Sequence, residues 1–299
     1  MREAFAAWLR RRAGVTLDPI AAIPSIGSKE LVALLPFLLG LRAGDRVVVP
    51  TVAYPTYAVG ALVAGCEVVA SDDPDACAGA RLVWVNSPGN PNGRVATAAQ
   101  LRSMVEAART ADAVIASDEC YLEFGWDATP VTALHPDVIG DDPSGVLSLH
   151  ALSKRSNMAG YRFGAVAGDP DLIARLLEIR KHLGLMVPMP VQRAATAAWG
   201  DDAHVEEQRA RYLRRRAVLR PALEAAGFRV DDSEAGLYLW ATRGEECWET
   251  VAALAERGVL VAPGDFYGQA GARHVRLALT ATDEAIGGAA ARISGGDTV

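Results

Sequence analysis

A series of short, almost unbroken apolar runs, most of them separated by stretches of helical periodicity, limits this chain to few folds. The runs are GDRVVVP (44–50), CEVVA (66–70), RLVWVNSP (81–88), AVIASDE (113–119), GVLSLHAL (145–152) and YRFGAVAG (161–168). Helical patterns fall at 30–41, 57–64 and 98–111. Strands that are apolar on both faces belong to a largely parallel sheet with helices on both sides, an α/β architecture. In such sheets ligands bind beyond the carboxyl ends of the strands. The opening MREAFAAWLRRRAGV reads as an amphipathic helix with Phe5, Trp8 and Leu9 on one face.

The character changes after about residue 200. Residues 204–226 read as one long charged helix, with Pro221 as a break or kink. GLYLWATR (236–243), VLVAPG (259–264) and HVRLALT (274–280) read as strands, with a helix at 246–257. The expected division is a large domain over 1–205 and a smaller α+β domain over 206–299. The tail ISGGDTV (293–299) is expected to fray.

Net charge argues against some functions. At −6, with 51% hydrophobic and 22% charged residues, the chain is globular and is not expected to bind nucleic acid. The basic run RYLRRR (211–216) sits in the long helix and reads as a solvated face. Cys66, Cys77, Cys120 and Cys247 show no CxxC and no zinc spacing, which fits reduced thiols and no metal site. No apolar run is long enough to span a bilayer, and charges interrupt the first residues where a secretory signal would be apolar. A cytoplasmic protein is expected.

Polar residues at the strand ends carry the chemistry. PSIGSKELVALL (24–35) places Gly-Ser at a helix start, which is either an anion site or an ordinary cap. NSPGNPNG (86–93) is a tight turn in which Asn90 has neighbours to bond. Asp118 follows a buried run, and a carboxylate there needs a cationic or donating partner. Lys154 also follows a buried run. It is either a surface residue or, partly desolvated, an amine nucleophile toward carbonyls. Arg162, eight residues on, suits a phosphate. Arg276 lies inside an apolar strand and needs an anionic partner, from the protein or from a ligand.

Taken in order, these segments resemble the fold-type I, class I/II aminotransferases, from about residue 15 to about residue 285. The shared set is a Gly-Ser-Lys-Glu helix start, the aromatic of AYPTY, an Asn-Pro-x-Gly turn, Asp-x-x-Tyr, Ser-Lys with an arginine eight residues later, and a late strand arginine. The resemblance implies pyridoxal 5'-phosphate as cofactor. Lys154 would hold it as a Schiff base and move the substrate proton, and Asp118 would pair with the pyridine nitrogen. Asn90 and Tyr121 would bond its phenolic oxygen, and Tyr54 would stack on its ring. The amides of Ser28 and Lys29, with Arg162, would hold the phosphate. Arg276 would clamp the substrate carboxylate, with Asn90 beside it.

There are departures from the pattern. Ala151 stands where many relatives have a phosphate-binding serine, and Asn92 replaces the threonine of the turn. Relatives also carry an N-terminal arm and first small-domain segment ahead of the helix that here opens at Met1. That arm normally helps close the site and contacts the second subunit of a homodimer.

SKRSNMAGYRFG, with LPFLLGLRAGDRVVVPTVAYPTYAVGA, is similar to bacterial N-succinyldiaminopimelate aminotransferases of lysine biosynthesis. That likeness implies amino transfer from N-succinyl-LL-2,6-diaminopimelate to 2-oxoglutarate in two half-reactions. Arg155 and Lys181 are candidates for a distal carboxylate, or else solvent-exposed. The alternatives are an alanine, aromatic or LL-diaminopimelate aminotransferase, a β-lyase of the same fold, and a non-catalytic effector-binding domain.

Overall fold

Val and Ile on successive positions favour extended backbone, and here alternate side chains enter two different cores. The computed structural model describes residues 1–295; of the tail expected to fray, residues 296–299 lie outside the described residues. Strands β1 (Ala22–Ser25), β2 (Arg46–Val49), β3 (Glu67–Ala70), β4 (Ala80–Asn86), β5 (Val114–Asp118), β6 (Val146–Ala151) and β7 (Gly164–Gly168) form one sheet. Its order is β1-β7-β6-β5-β4-β2-β3. Strands β3, β2, β4, β5 and β6 run parallel, while β7 is antiparallel to β6 and β1 to β7.

The alternation is plain in β2 and β4. Val48 and Val83 pack in one core, whereas Val47, Val49, Leu82 and Trp84 pack in the other. The first core is covered by α1 (Arg2–Ala13), α4 (Ala98–Thr110), the short α5 (Pro136–Ile139) and α8 (Met189–Gly200). The second is covered by α2 (Gly27–Leu38), α3 (Thr56–Val63) and α7 (Pro170–His182). Phe5, Trp8 and Leu9 are buried as their spacing predicts. Trp8 meets Trp199 of α8 at 4.4 Å between ring centroids. One further helical turn, α6 (Leu152–Arg155), follows β6 directly.

Helix α9 (Ala203–Ala225) leads to a second, antiparallel sheet of order β10-β11-β9-β8. It comprises β8 (Arg229–Asp231), β9 (Tyr238–Thr242), β10 (Ala262–Pro263) and β11 (Val275–Ala278), flanked by α10 (Cys247–Glu256) and α11 (Asp283–Ile293). Pro221 does not end α9. Proline removes one backbone donor, but Leu219, Ala222 and Leu223 pack on the second sheet and carry the helix through. The basic run on α9 is ion-paired at three positions: Arg211 to Glu207, Arg215 to Asp283 and Arg216 to Asp127. The four cysteines are free. No helix among the described residues is long and apolar enough to cross a membrane.

Candidate active site

The last residue of β5 sets the centre of the site. Asp118 is 7% exposed. Burial pushes its carboxyl above the ordinary value; the Cys120 and Tyr57 hydrogen bonds and the nearby Lys154 ammonium oppose that. The Tyr57 hydroxyl donates to Oδ2 at 2.9 Å and the Cys120 amide to Oδ1 at 3.2 Å. Burial, and then the Asp118 charge, hold the Tyr57 phenol well above its usual range, so it stays a donor. Its ring stacks on Trp84 at 4.9 Å, which fixes where the hydroxyl points.

Asn86, the last residue of β4, ties this strand end to its neighbour. Its Nδ2 donates to the Asp118 carbonyl at 2.8 Å and to that of Pro88 at 3.1 Å, while Oδ1 accepts the Asn90 amide at 2.8 Å. The turn that carries Asn90 is therefore built from inside. Asn92 closes its far side, donating to Asp232 at 3.1 Å and accepting the Ser233 amide at 2.7 Å. Lys154 sits in α6, half-buried, and no carboxylate is in ion-pair contact with it among the described residues.

A second group of residues surrounds the N-terminus of α2. Gly27 begins the helix at φ +74°, and the Arg162 guanidinium lies where a Cβ on Gly27 would stand. Arg162 itself adopts left-handed backbone (φ 55°, ψ 53°) and donates to the Ala159 carbonyl at 2.7 Å. Gly164 admits Ser28: a Cβ there would come within 2.7 Å of both Ser25 Oγ and the Ser28 amide nitrogen. The Cys120 thiol donates to Ser28 Oγ at 3.3 Å. The helix start is held by Glu30, which accepts the Ile26 amide at 3.0 Å and a two-pronged pair from Arg180 at 2.8 and 3.0 Å. Free amides at a helix N-terminus beside an arginine form an anion cradle. The Lys29 ammonium lies 5.5 Å over the Tyr54 ring, which is edge-on to Tyr57 at 5.7 Å.

The second sheet supplies the third group. Arg276 of β11 lies 3.9 Å over the Tyr238 ring and 5.1 Å over Tyr267, and its Nη1 donates to Asn90 Oδ1 at 2.8 Å. No carboxylate pairs with it among the described residues, and its buried Nε has no partner. The internal salt bridge allowed for in the sequence is absent there, which leaves the half-buried guanidinium open to an anionic ligand. Tyr121 and Tyr238 share a hydrogen bond of 3.0 Å; burial, then Tyr238, raises the Tyr121 phenol well above its usual value.

Of the expected residues, Asp118 is thus joined through Tyr57 to Tyr54 and Lys29, Arg276 bonds Asn90, and Ser28 meets Cys120 beside Asp118. Arg155 departs from both readings, whereas Lys181 is solvent-exposed, the second of the two. Arg155 is 3% exposed and bound by Glu123 at 2.6 Å and Asp202 at 2.7 Å, and Lys181 pairs with Glu178 at 2.6 Å. Arg155 is therefore not free for a distal carboxylate. Sequence reading overlooked Tyr57, Asn86 and Tyr238. Tyr57 carried one signal, its place three residues after Tyr54 on a helical pattern. The other two look like ordinary strand residues.

A buried carboxylate for a protonated ring nitrogen, an unpaired lysine, an anion cradle walled by glycines and an arginine with an unsatisfied buried nitrogen are the donor set of a phosphorylated pyridine aldehyde. They define an α/β enzyme working on amines through such a cofactor. The family model "Aminotransferase class I and II" matches residues 1–293, and the chain belongs to that family. It is a pyridoxal-phosphate-dependent aminotransferase. It is 56% identical over 98% of its length to 4-dedimethylamino-4-oxo-anhydrotetracycline transaminase OxyQ of Streptomyces rimosus, covering 82% of that protein. A probable aminotransferase of Mycobacterium tuberculosis is 55% identical, with 98% of this chain and 71% of that protein covered. Among solved structures, a probable N-succinyldiaminopimelate aminotransferase from Thermus thermophilus superposes with a TM-score of 0.89 at 28% identity, covering 98% of this chain and 83% of that one.

Proposed function

We propose that the chain transfers an amino group from N-succinyl-LL-2,6-diaminopimelate to 2-oxoglutarate, in two half-reactions at one site, in the cytoplasm. The observation that carries the amino-acid part is Arg276, a cation with no protein carboxylate among the described residues and held beside Asn90. The likeness to the Thermus protein supports the choice of donor. The division into 1–205 and 206–299, and a homodimer, belong to the same proposal. Phe37, Val59, Leu62 and Val63 leave an apolar face on α2 and α3 exposed for a second copy.

In this reading pyridoxal phosphate, when bound, supplies an electron sink for the bond broken at the substrate Cα. Asp118 keeps the ring nitrogen protonated, and Tyr57 and the Cys120 amide keep Asp118 ionised despite its burial. The Ser28 and Lys29 amides and Arg162 hold the phosphate, Tyr54 lies against the ring, and Asn90 and Tyr121 orient its phenolic oxygen. Arg276 fixes the substrate α-carboxylate and with it the direction of the Cα–H bond. Lys154 Nζ would take that proton from the substrate Cα.

The 56% identity to OxyQ favours a second reading, amination of a ring ketone like the one in that protein's name. Donor and acceptor panels decide between them. Glutamate converting the bound cofactor to its amine form, followed by turnover with the 2-oxo acid N-succinyl-2-amino-6-oxopimelate as acceptor, supports the first. Conversion by glutamate with turnover only of cyclic ketones supports the second. Lys154→Ala abolishes the visible absorption of the bound cofactor and all turnover. A wild-type protein that takes up no pyridoxal phosphate ends both readings.

A further inference from the structure

Behind the turn that carries Asn90 lies a cleft of about 510 Å³ that holds none of Lys154, Asp118, Tyr54, Asn90 or Arg276. Its size falls in the range of small-molecule sites. The floor is apolar, made by Val52, Trp84, Val85, Leu101 and Met104. The Trp84 indole is 1% exposed, and its N–H has no partner among the described residues.

The rim carries both signs of charge. The Arg94 guanidinium has no hydrogen-bonded or ion-paired partner among the described residues, yet lies close enough to draw the Asp232 carboxyl down against burial, which raises it. Asp72, on the same rim, accepts only a long bond from the Thr51 amide, 3.4 Å. A guanidinium and a carboxylate that face one cleft without touching leave room for a head group bearing both opposite charges.

We propose that this cleft binds a zwitterionic amino acid with an apolar side chain, its carboxylate on Arg94, its ammonium on Asp232 and its side chain over Val85 and Met104. An anion alone meets two aspartates, and a cation alone leaves Arg94 unpaired. Occupancy has a short route to the catalytic carboxylate. Trp84 stacks on Tyr57, which bonds Asp118, and Asn86 lines the cleft while holding the Asn90 amide.

Calorimetric titration of the Arg276→Ala chain, which lacks the proposed substrate clamp, tests this with L-phenylalanine, L-leucine, phenylacetate and phenethylamine. The two amino acids are expected to saturate one site per chain, with the singly charged probes at least about tenfold weaker, because each loses one charge-assisted contact. Adding Arg94→Gln or Asp232→Asn should weaken L-phenylalanine by about tenfold or more, and adding Met104→Trp should fill the cleft and abolish binding. In an otherwise unaltered chain, Arg94→Gln should keep glutamate-driven conversion of the cofactor, which tells lost binding from lost fold. The proposal is overturned by absence of saturable heat with both amino acids. It is equally overturned by binding that survives Arg94→Gln and Met104→Trp, or by phenylacetate or phenethylamine binding as tightly as L-phenylalanine.

Discussion

Replacing Tyr57 by phenylalanine removes one hydrogen bond from a buried carboxylate and little else. The ring keeps its stack on Trp84, at 4.9 Å and 23° between planes, so the fold should tolerate the change. The Asp118 carboxyl is pushed up by burial and restrained by the Cys120 amide, the Tyr57 hydroxyl and Lys154. A hydrogen bond to a charged group contributes about 1.5–3 kcal/mol. At 1.36 kcal/mol per pKa unit, losing the Tyr57 bond should move Asp118 upward by about 1–2 units. The ionised form, which in the proposed function would pair with the cofactor's ring nitrogen, is then lost at a higher pH as the solution is acidified. The assay is the affinity of cofactor-free protein for pyridoxal phosphate, measured across pH in wild type and Tyr57→Phe. Both proteins share the cofactor's own titrations, so the difference between the curves reports Asp118. They should merge at high pH and separate on the acid side, with the variant's midpoint about 1–2 units higher. Superimposable curves from a variant with unchanged thermal stability would refute the reasoning, because they would show that the Tyr57 hydroxyl does not support the charge on Asp118.

Arg276→Lys keeps the charge but not the planar fork. KM for amino-acid donors should rise by about ten- to a hundredfold in steady-state assays, with a smaller change in kcat. Gly164→Ala drives a methyl against Ser25 Oγ and the Ser28 amide, and should destabilise the fold by about 1–3 kcal/mol while weakening cofactor binding, read by denaturation and equilibrium dialysis. Burial lifts the Glu119 carboxyl to about 7, against bonds from Thr132, the Ala133 amide, Ser117 and Ser148. A folded value above the ordinary 4.5 means that stability present below 4.5 is lost as pH rises through about 7. Facing it, with Nε2 at 3.5 Å, His150 is pulled by burial to about 3, so its contribution is lost as pH falls from 6.5 toward that value. Glu119→Gln imitates the protonated acid and should recover up to about 3 kcal/mol in urea unfolding at alkaline pH, with little change near pH 4.

The parallel sheet could be read from the sequence because nearly unbroken apolar runs fill the central strands, whose two faces are both buried. Strands β1 and β8 escaped the same reading. β1 has four residues, one of them Pro24, and β8 has three, so neither run is long enough for alternation to stand out. Helices α7, α8 and α11 were not singled out either, although Asp169 caps α7 through two backbone amides. Within the site, the charged residues were legible because a charge beside an apolar strand demands a partner. Tyr57, Asn86 and Tyr238 were not, since a neutral side chain in an apolar segment satisfies the same pattern whether it supports a catalytic group or only fills the core.

Arg155 shows where that logic fails in sequence and succeeds in three dimensions. It is adjacent to Lys154, and both are cations following one buried strand. Arg155 reaches Glu123 and Asp202, which come from the segment after β5 and from the residue before α9. Arg180 likewise reaches Glu30 across 150 residues of chain. Those buried cations are neutralised by the protein, and breaking such a pair would cost about 3–5 kcal/mol. Lys154 and Arg276 have no such carboxylate among the described residues, although one stands close to Asp118 and the other is packed over Tyr238. A cation that the fold partly desolvates and leaves without a counter-ion stores electrostatic free energy that an incoming anion or carbonyl can release. That difference in pairing, rather than position beside a strand, separates residues that meet ligands from residues that hold the fold, and it depends on contacts that spacing in the sequence does not encode.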